Sequence, residues 1–158
     1  MGRLTGTRHG DAANDLLAFY GVKAKELENA GQFFMAGVAL SLALETAILT
    51  YLLVEFGDDN GGELKIPDSV GLLDLIAAAN SFEVLNAPID IPSHATEGNV
   101  PPKHVARDVV DKIRKFRNLI HPGRALKEGY DPGNFGIAEL QELQDIYESV
   151  THSLLYFL

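Results

Sequence analysis

The sequence predicts an all-α fold, a bundle of about five helices, on three observations. Apolar residues recur at three- and four-residue steps, most regularly at Leu140, Leu143, Tyr147, Val150 and Leu154, where they build a continuous helical seam. No segment shows the apolar–polar alternation of a half-buried strand, and no internal repeat is visible. Clusters of Gly, Pro, Asp and Asn separate the helical stretches. A chain of 158 residues with 46% hydrophobic content supports one ordinary core, so one domain is expected over 11–158, preceded by a flexible N-terminal arm over 1–10.

The first helix is expected from Asp11 to Asn29, with Leu16, Phe19, Tyr20 and Leu27 toward the apolar side and Lys23, Lys25, Glu26 and Glu28 toward water. Phe33 to Val54 is hydrophobic all round, which requires enclosure by other helices or by lipid. Its length permits a membrane span. Glu45 near its midpoint, with Ser41, Thr46 and Thr50, favours a central core helix and no membrane association. Gly57 to Glu63 then stops the helix as an acidic loop, without the alternating oxygen ligands of a calcium loop. Asp68 or Ser69 caps a further helix carrying Val70, Leu72, Leu73, Leu75 and Ile76 and reaching toward Leu85. Asn86 to Pro102 reads as a long connection. The next helix is expected from about Val100 to His121, with Pro101 and Pro102 in its first turn and Pro122-Gly123 closing it. Beyond the turn-rich Gly129 to Asn134, the last helix is expected from Ile137 to Tyr156.

Composition narrows the chemistry. The absence of cysteine excludes a disulfide framework, a thiolate metal site and a cysteine nucleophile, and it fits a reducing cytoplasm. The N-terminal residues lack the apolar run of a secretory signal. A net charge of −9 argues against broad nucleic-acid binding, but the charge is unevenly placed. Lys103, Arg107, Lys112, Arg114, Lys115, Arg117, Arg124 and Lys127 stand against Asp108 and Asp111, so this segment carries +6 and the remainder −15. Such a distribution builds a local anion site in a chain that repels polyanions elsewhere, or else a basic helix that docks on acidic neighbours.

At about 100° per residue, Ala106, Val109, Val110, Ile113, Phe116 and Ile120 define the core face of the basic helix. Arg107, Arg114 and His121 follow one another at seven-residue intervals along a flank, and Arg117 falls between that flank and the apolar stripe. Guanidinium forks match phosphate oxygens, and imidazole exchanges protons near neutral pH. Together they suit phosphodiester cleavage: His121 takes or gives a proton, Arg114 or Arg117 stabilises the charge on the pentavalent phosphate, and Asn118 orients one or the other. No metal is needed, and no metal site is evident in the sequence. The competing reading is structural. His121 caps a helix dipole, and Arg117 neutralises a buried Glu45.

These residues resemble the HEPN superfamily (higher eukaryotes and prokaryotes nucleotide-binding), small helical bundles of many bacterial defence and toxin systems. Arg114, Asn118, His121 and Pro122 are similar to its signature of arginine, polar residue, short gap and histidine. The apolar Ala36 to Leu49 with its internal Glu45 is similar to the second helix of these domains. The likeness extends from about Asp11 to Leu155. It implies a homodimer whose signature helices meet in a composite cleft that cuts RNA without metal or other cofactor, leaving a cyclic phosphate and a 5′-hydroxyl. It also implies a cytoplasmic toxin or phage-defence role, with a cognate antitoxin or partner protein. Arg114, Arg117, Asn118 and His121 would form the catalytic set, Lys103, Arg107 and Arg124 would contact RNA phosphates, and Glu45 would stand behind the arginines. The family pattern usually leaves four to six residues between arginine and histidine. Arg114 meets that spacing but is followed by Lys115, whereas Arg117-Asn118 is the favoured dipeptide at too short a distance. Which arginine is catalytic is therefore open, as is the alternative of a non-catalytic dimeric module that binds nucleotide, RNA or a partner protein.

Overall fold

The computed structural model describes residues 3–4, 6–56, 66–67, 71, 74, 75, 77, 88–90 and 103–155. It is all-α, with five helices delimited among the described residues: α1 Gly6–Asn29, α2 Phe33–Phe56, α3 Ala106–Asn118, α4 Pro122–Glu128 and α5 Ile137–Leu155. A single 3₁₀ turn spans Pro132–Asn134 among the described residues. Two small antiparallel ribbons accompany the helices. In one, β1 (Arg3–Leu4) pairs with β2 (Ile66–Pro67); in the other, β3 (Pro88–Asp90) pairs with β4 (Lys103–Val105). Strands of two or three residues are too short to imprint a period of two on the sequence.

α2 is the axis of the fold because no face of it is polar enough to meet water. It is packed by α1, by α5 and by α3. A window within Phe33–Glu55 is long and apolar enough to cross a membrane by composition, and 67% of that window is buried within the fold. Ala36, Ala39, Ala43 and Ala47 are buried along α2, and Ala13, Leu17 and Ala24 are buried on α1. Small residues on both helices let the two backbones approach, and each 24-residue helix covers about 36 Å of the other. Ser41, Thr46 and Thr50 are buried as well, each donating its hydroxyl to a carbonyl of its own helix: Val38 at 2.7 Å, Leu42 at 2.8 Å and Thr46 at 2.7 Å.

The core joins α2 to Val110, Ile113 and Phe116 of α3, and to Leu140, Leu143, Ile146, Val150 and Leu154 of α5, with Ile66 and Leu75 alongside. The seam expected on α5 is present, and Ile146 completes it. Phe34, Phe116, Tyr130 and Phe135 form an aromatic cluster at the N-terminal end of α2, with Phe116 and Phe135 centroids 4.9 Å apart. Gln144 ties α5 to α1 by donating to Glu28 Oε2 at 2.6 Å.

Four expectations change. The stretch read as an N-terminal arm is already helical from Gly6, because α2 offers α1 a packing surface along its length; Gly10 lies beside Val54. The face of α1 that packs is the alanine-bearing one, so Leu16 and Phe19 point outward. The basic helix begins at Ala106 and not at Val100, since Lys103–Val105 pair with Pro88–Asp90 and a ladder satisfies those backbone groups first. A short helix, α4, follows where a simple stop was expected. Gly57 to Glu63, the capping residues Asp68 and Ser69, and Pro101-Pro102 lie outside the described residues, as does most of 70–85. There, Asp74, Leu75 and Ala77 have helical backbone and Leu75 is buried.

Candidate functional site at the end of the basic helix

α3 is strongly two-sided. Val110, Ile113 and Phe116 are buried, whereas Lys112 and Lys115 are exposed. The helix ends at Asn118 by tightening. Leu119, Ile120 and His121 donate their N–H groups to Phe116, Arg117 and Asn118 carbonyls three residues back, at 3.0, 3.1 and 3.3 Å. Pro122 forces this exit, because the residue before a proline is pushed out of helical geometry. His121 accordingly has extended backbone, φ −72° and ψ 121°, and Pro122 opens α4.

His121 is thus the N-cap of α4 and not the C-terminal residue of a longer helix, which corrects the dipole role expected of it. Its carbonyl accepts from Ala125 N–H at 3.0 Å, and its side chain makes no capping bond. The imidazole is exposed. α4 itself has no buried residue and closes on Gly129, whose φ of 64° is left-handed.

The two arginines part company here. Arg117 turns toward α2, where Nη1 meets Glu45 Oε2 in an ion pair. Glu45 Oε2 is closed off from solvent, and the Arg117 guanidinium is the charge against it. Burial pushes the Glu45 carboxyl above the ordinary carboxylate range, and the arginine opposes that shift without cancelling it. Arg114 is half-buried one turn earlier. Arg114 and Asn118, four apart on the α-helix, share a side. Asn118 and His121 are three apart across a 3₁₀-type turn, in which side chains at that spacing eclipse. The backbone therefore aligns Arg114, Asn118 and His121 in one row, with Arg117 beside it.

The outlying basic residues contribute less than the sequence suggests. Arg124 Nε donates to Glu128 Oε1 at 2.8 Å within α4, and Lys112 pairs with Glu142 of α5 at 3.4 Å. Glu128 and Glu142 were missed as counter-charges. The first was legible as an i, i+4 pair, and the second needs the α3–α5 packing. Arg107 lies in α3 and Lys103 in β4, with side chains outside the described residues. No group of three or more His, Asp or Glu side chains suited to a metal occurs among the described residues. Compared with protein-family models, curated proteins and solved structures, the chain matches none.

Proposed function

We propose that this chain is a HEPN-like, metal-independent endoribonuclease of the toxin or phage-defence type, acting in the cytoplasm as a homodimer. The observation that carries the reading is the row of Arg114, Asn118 and His121, with an exposed imidazole at its end. Arg114 is taken as the arginine that meets the phosphate because it stands in that row with six residues between it and His121.

In the reaction, a ribose 2′-oxygen attacks the adjacent phosphorus and the bond to the 5′-oxygen breaks, giving a 2′,3′-cyclic phosphate and a 5′-hydroxyl. His121 accepts the 2′-hydroxyl proton, and the equivalent imidazole of a second copy returns a proton to the 5′-oxygen. Arg114 stabilises the extra negative charge on the phosphorane, and Asn118 orients the phosphate. The charge of −15 carried by the rest of the sequence disfavours polyanions elsewhere on the chain.

The decisive experiment is cleavage of a single-stranded RNA in excess chelator, with analysis of the product ends. Cyclic phosphate termini are expected from wild type, with a loss of about a hundredfold or more in His121→Ala and Arg114→Ala. Undiminished cleavage by His121→Ala removes the acid–base assignment.

A second reading is favoured by the pairing of Arg124 with Glu128 and of Lys112 with Glu142, which thins the cationic surface. In it the same row binds a nucleotide, an RNA or a partner protein such as a cognate antitoxin without turnover. Binding that Arg114→Ala abolishes, with no cleavage by wild type, selects this reading.

A further inference from the structure

α1 presents to solvent a face that its packing on α2 does not use. Leu16, Phe19 and Val22 are 43%, 55% and 60% exposed, whereas Ala13, Leu17 and Ala24 on the other side are buried. At about 100° per residue, Ala12, Asp15, Leu16, Phe19, Val22, Lys23 and Glu26 fall within an arc of about 120°. All seven are exposed. The Phe19 ring is held on the half-buried Tyr20 by an edge contact, centroids 5.6 Å apart. Three large apolar side chains in a line on one exposed helix are the mark of an interaction surface.

We infer that this face pairs with the same face of a second copy of the chain, α1 against α1, antiparallel about a two-fold axis at Phe19. The sequence around Phe19 is self-complementary in that arrangement alone. Residues equidistant from Phe19 come level with each other across the axis: Asp15 with Lys23 of the second copy, the small Ala12 with Glu26, and Leu16 and Val22 on opposite flanks of the Phe19 contact. Parallel pairing would set Asp15 on Asp15 and Lys23 on Lys23, which like-charge repulsion disfavours. Lys23 is held at 3.1 Å by Glu26 of its own helix, an exposed pair that leaves the ammonium near the facing carboxylate. The contact is isologous and closes at two copies.

This interface is distinct from the Arg114 row. Ala43 and Ala47, which pack with Leu17 of α1, lie about half a turn around α2 from Glu45, the partner of Arg117. The pairing therefore neither requires nor blocks a contact between two rows, and it stands whether or not the chain cleaves RNA.

Sedimentation equilibrium of the full chain over a concentration series tests it. Wild type at roughly 100 µM is expected to be associated, and Phe19→Asp is expected to halve the mass with an unchanged helical circular dichroism spectrum. Asp15→Lys and Lys23→Asp, each alone, are expected to weaken association about tenfold, and the two together to restore it. A monomeric wild type, or an association indifferent to Phe19→Asp, overturns the inference. If the double charge exchange stays as weak as the single variants, the antiparallel register is wrong. RNA cleavage by Phe19→Asp is scored separately from its mass, so that failure of this interface and failure of the nuclease reading are distinguishable.

Discussion

Arg117 of α3 reaches across to α2 and places its guanidinium against the water-inaccessible oxygen of Glu45, joining the helix of the candidate site to the axis of the core. Removing one partner of such a pair strands the other charge. For fully buried pairs the cost is about 3–5 kcal/mol, and since a third of the Arg117 side chain is exposed, about 1–3 kcal/mol is expected for Arg117→Ala. His121→Ala removes an exposed side chain without a capping bond and should change stability by less than about 0.5 kcal/mol. Urea denaturation of the two variants checks the contrast. Equal losses would mean that the pair holds nothing together.

The Glu45 carboxyl, raised by burial despite Arg117, also sets a pH dependence. Because its pKa is higher in the folded than in the unfolded chain, the native state binds more protons between those two values. The associated stabilisation is complete below the unfolded value and is lost as pH rises through the folded one. Glu45→Gln is expected to abolish this component, so the difference in melting temperature between wild type and variant should drift against wild type across the window. A difference independent of pH would contradict the burial-dominated environment.

The helices were legible in the sequence wherever one face had to be apolar or none could be polar. Leu140 to Leu154 and the all-apolar Phe33 to Val54 stretch declared themselves through period and composition. The packing face of α1 was not legible, because large apolar side chains mark one face of the helix and alanines pack on the other. Close approach of two backbones selects Ala13 and Ala24, and this turns Leu16 and Phe19 outward. Ser41, Thr46 and Thr50 misled in a different way. Their hydroxyls bond to carbonyls of their own helix, so they can be buried in protein or lipid alike and discriminate between neither.

At the site, Glu45 and Arg117 were legible as a pair, because a carboxylate inside an apolar helix demands a counter-charge and one arginine lay beside the core stripe of α3. The break after Asn118 was only half legible. Pro122 announced the end of one helix, but it equally opens another, and α4 has no buried residue that would have signalled it. One helical period drawn from Arg107 to His121 therefore spans the end of α3 and the cap of α4.

Close packing at the base of α2 leads to a third expectation. A Cβ on Gly37 would lie 3.0 Å from Cζ of both Phe116 and Phe135. Alanine gains up to about 1 kcal/mol of helix propensity over glycine, while overpacking costs about 1–3 kcal/mol. Gly37→Ala should therefore destabilise by about 1–2 kcal/mol, and Phe135→Leu in the same chain should recover part of that loss. Thermal denaturation of the single and double variants measures the coupling. A stabilised Gly37→Ala would show that the aromatic cluster yields freely.

The enclosure of α2 yields the last expectation. Ile48 is 1% exposed, and its truncation to alanine opens a cavity among packed neighbours, costing about 2–5 kcal/mol. Thr50 is equally enclosed, yet its hydroxyl serves only the Thr46 carbonyl at 2.7 Å, so Thr50→Val keeps the shape, frees no buried donor and should stay within about 1 kcal/mol of wild type. Both measurements belong in detergent-free buffer. A packed protein core responds steeply to lost volume and weakly to the lost hydroxyl, whereas a helix facing lipid would have no tight cavity to leave behind. An Ile48→Ala variant as stable as wild type would place α2 in looser surroundings than α1, α3 and α5 provide.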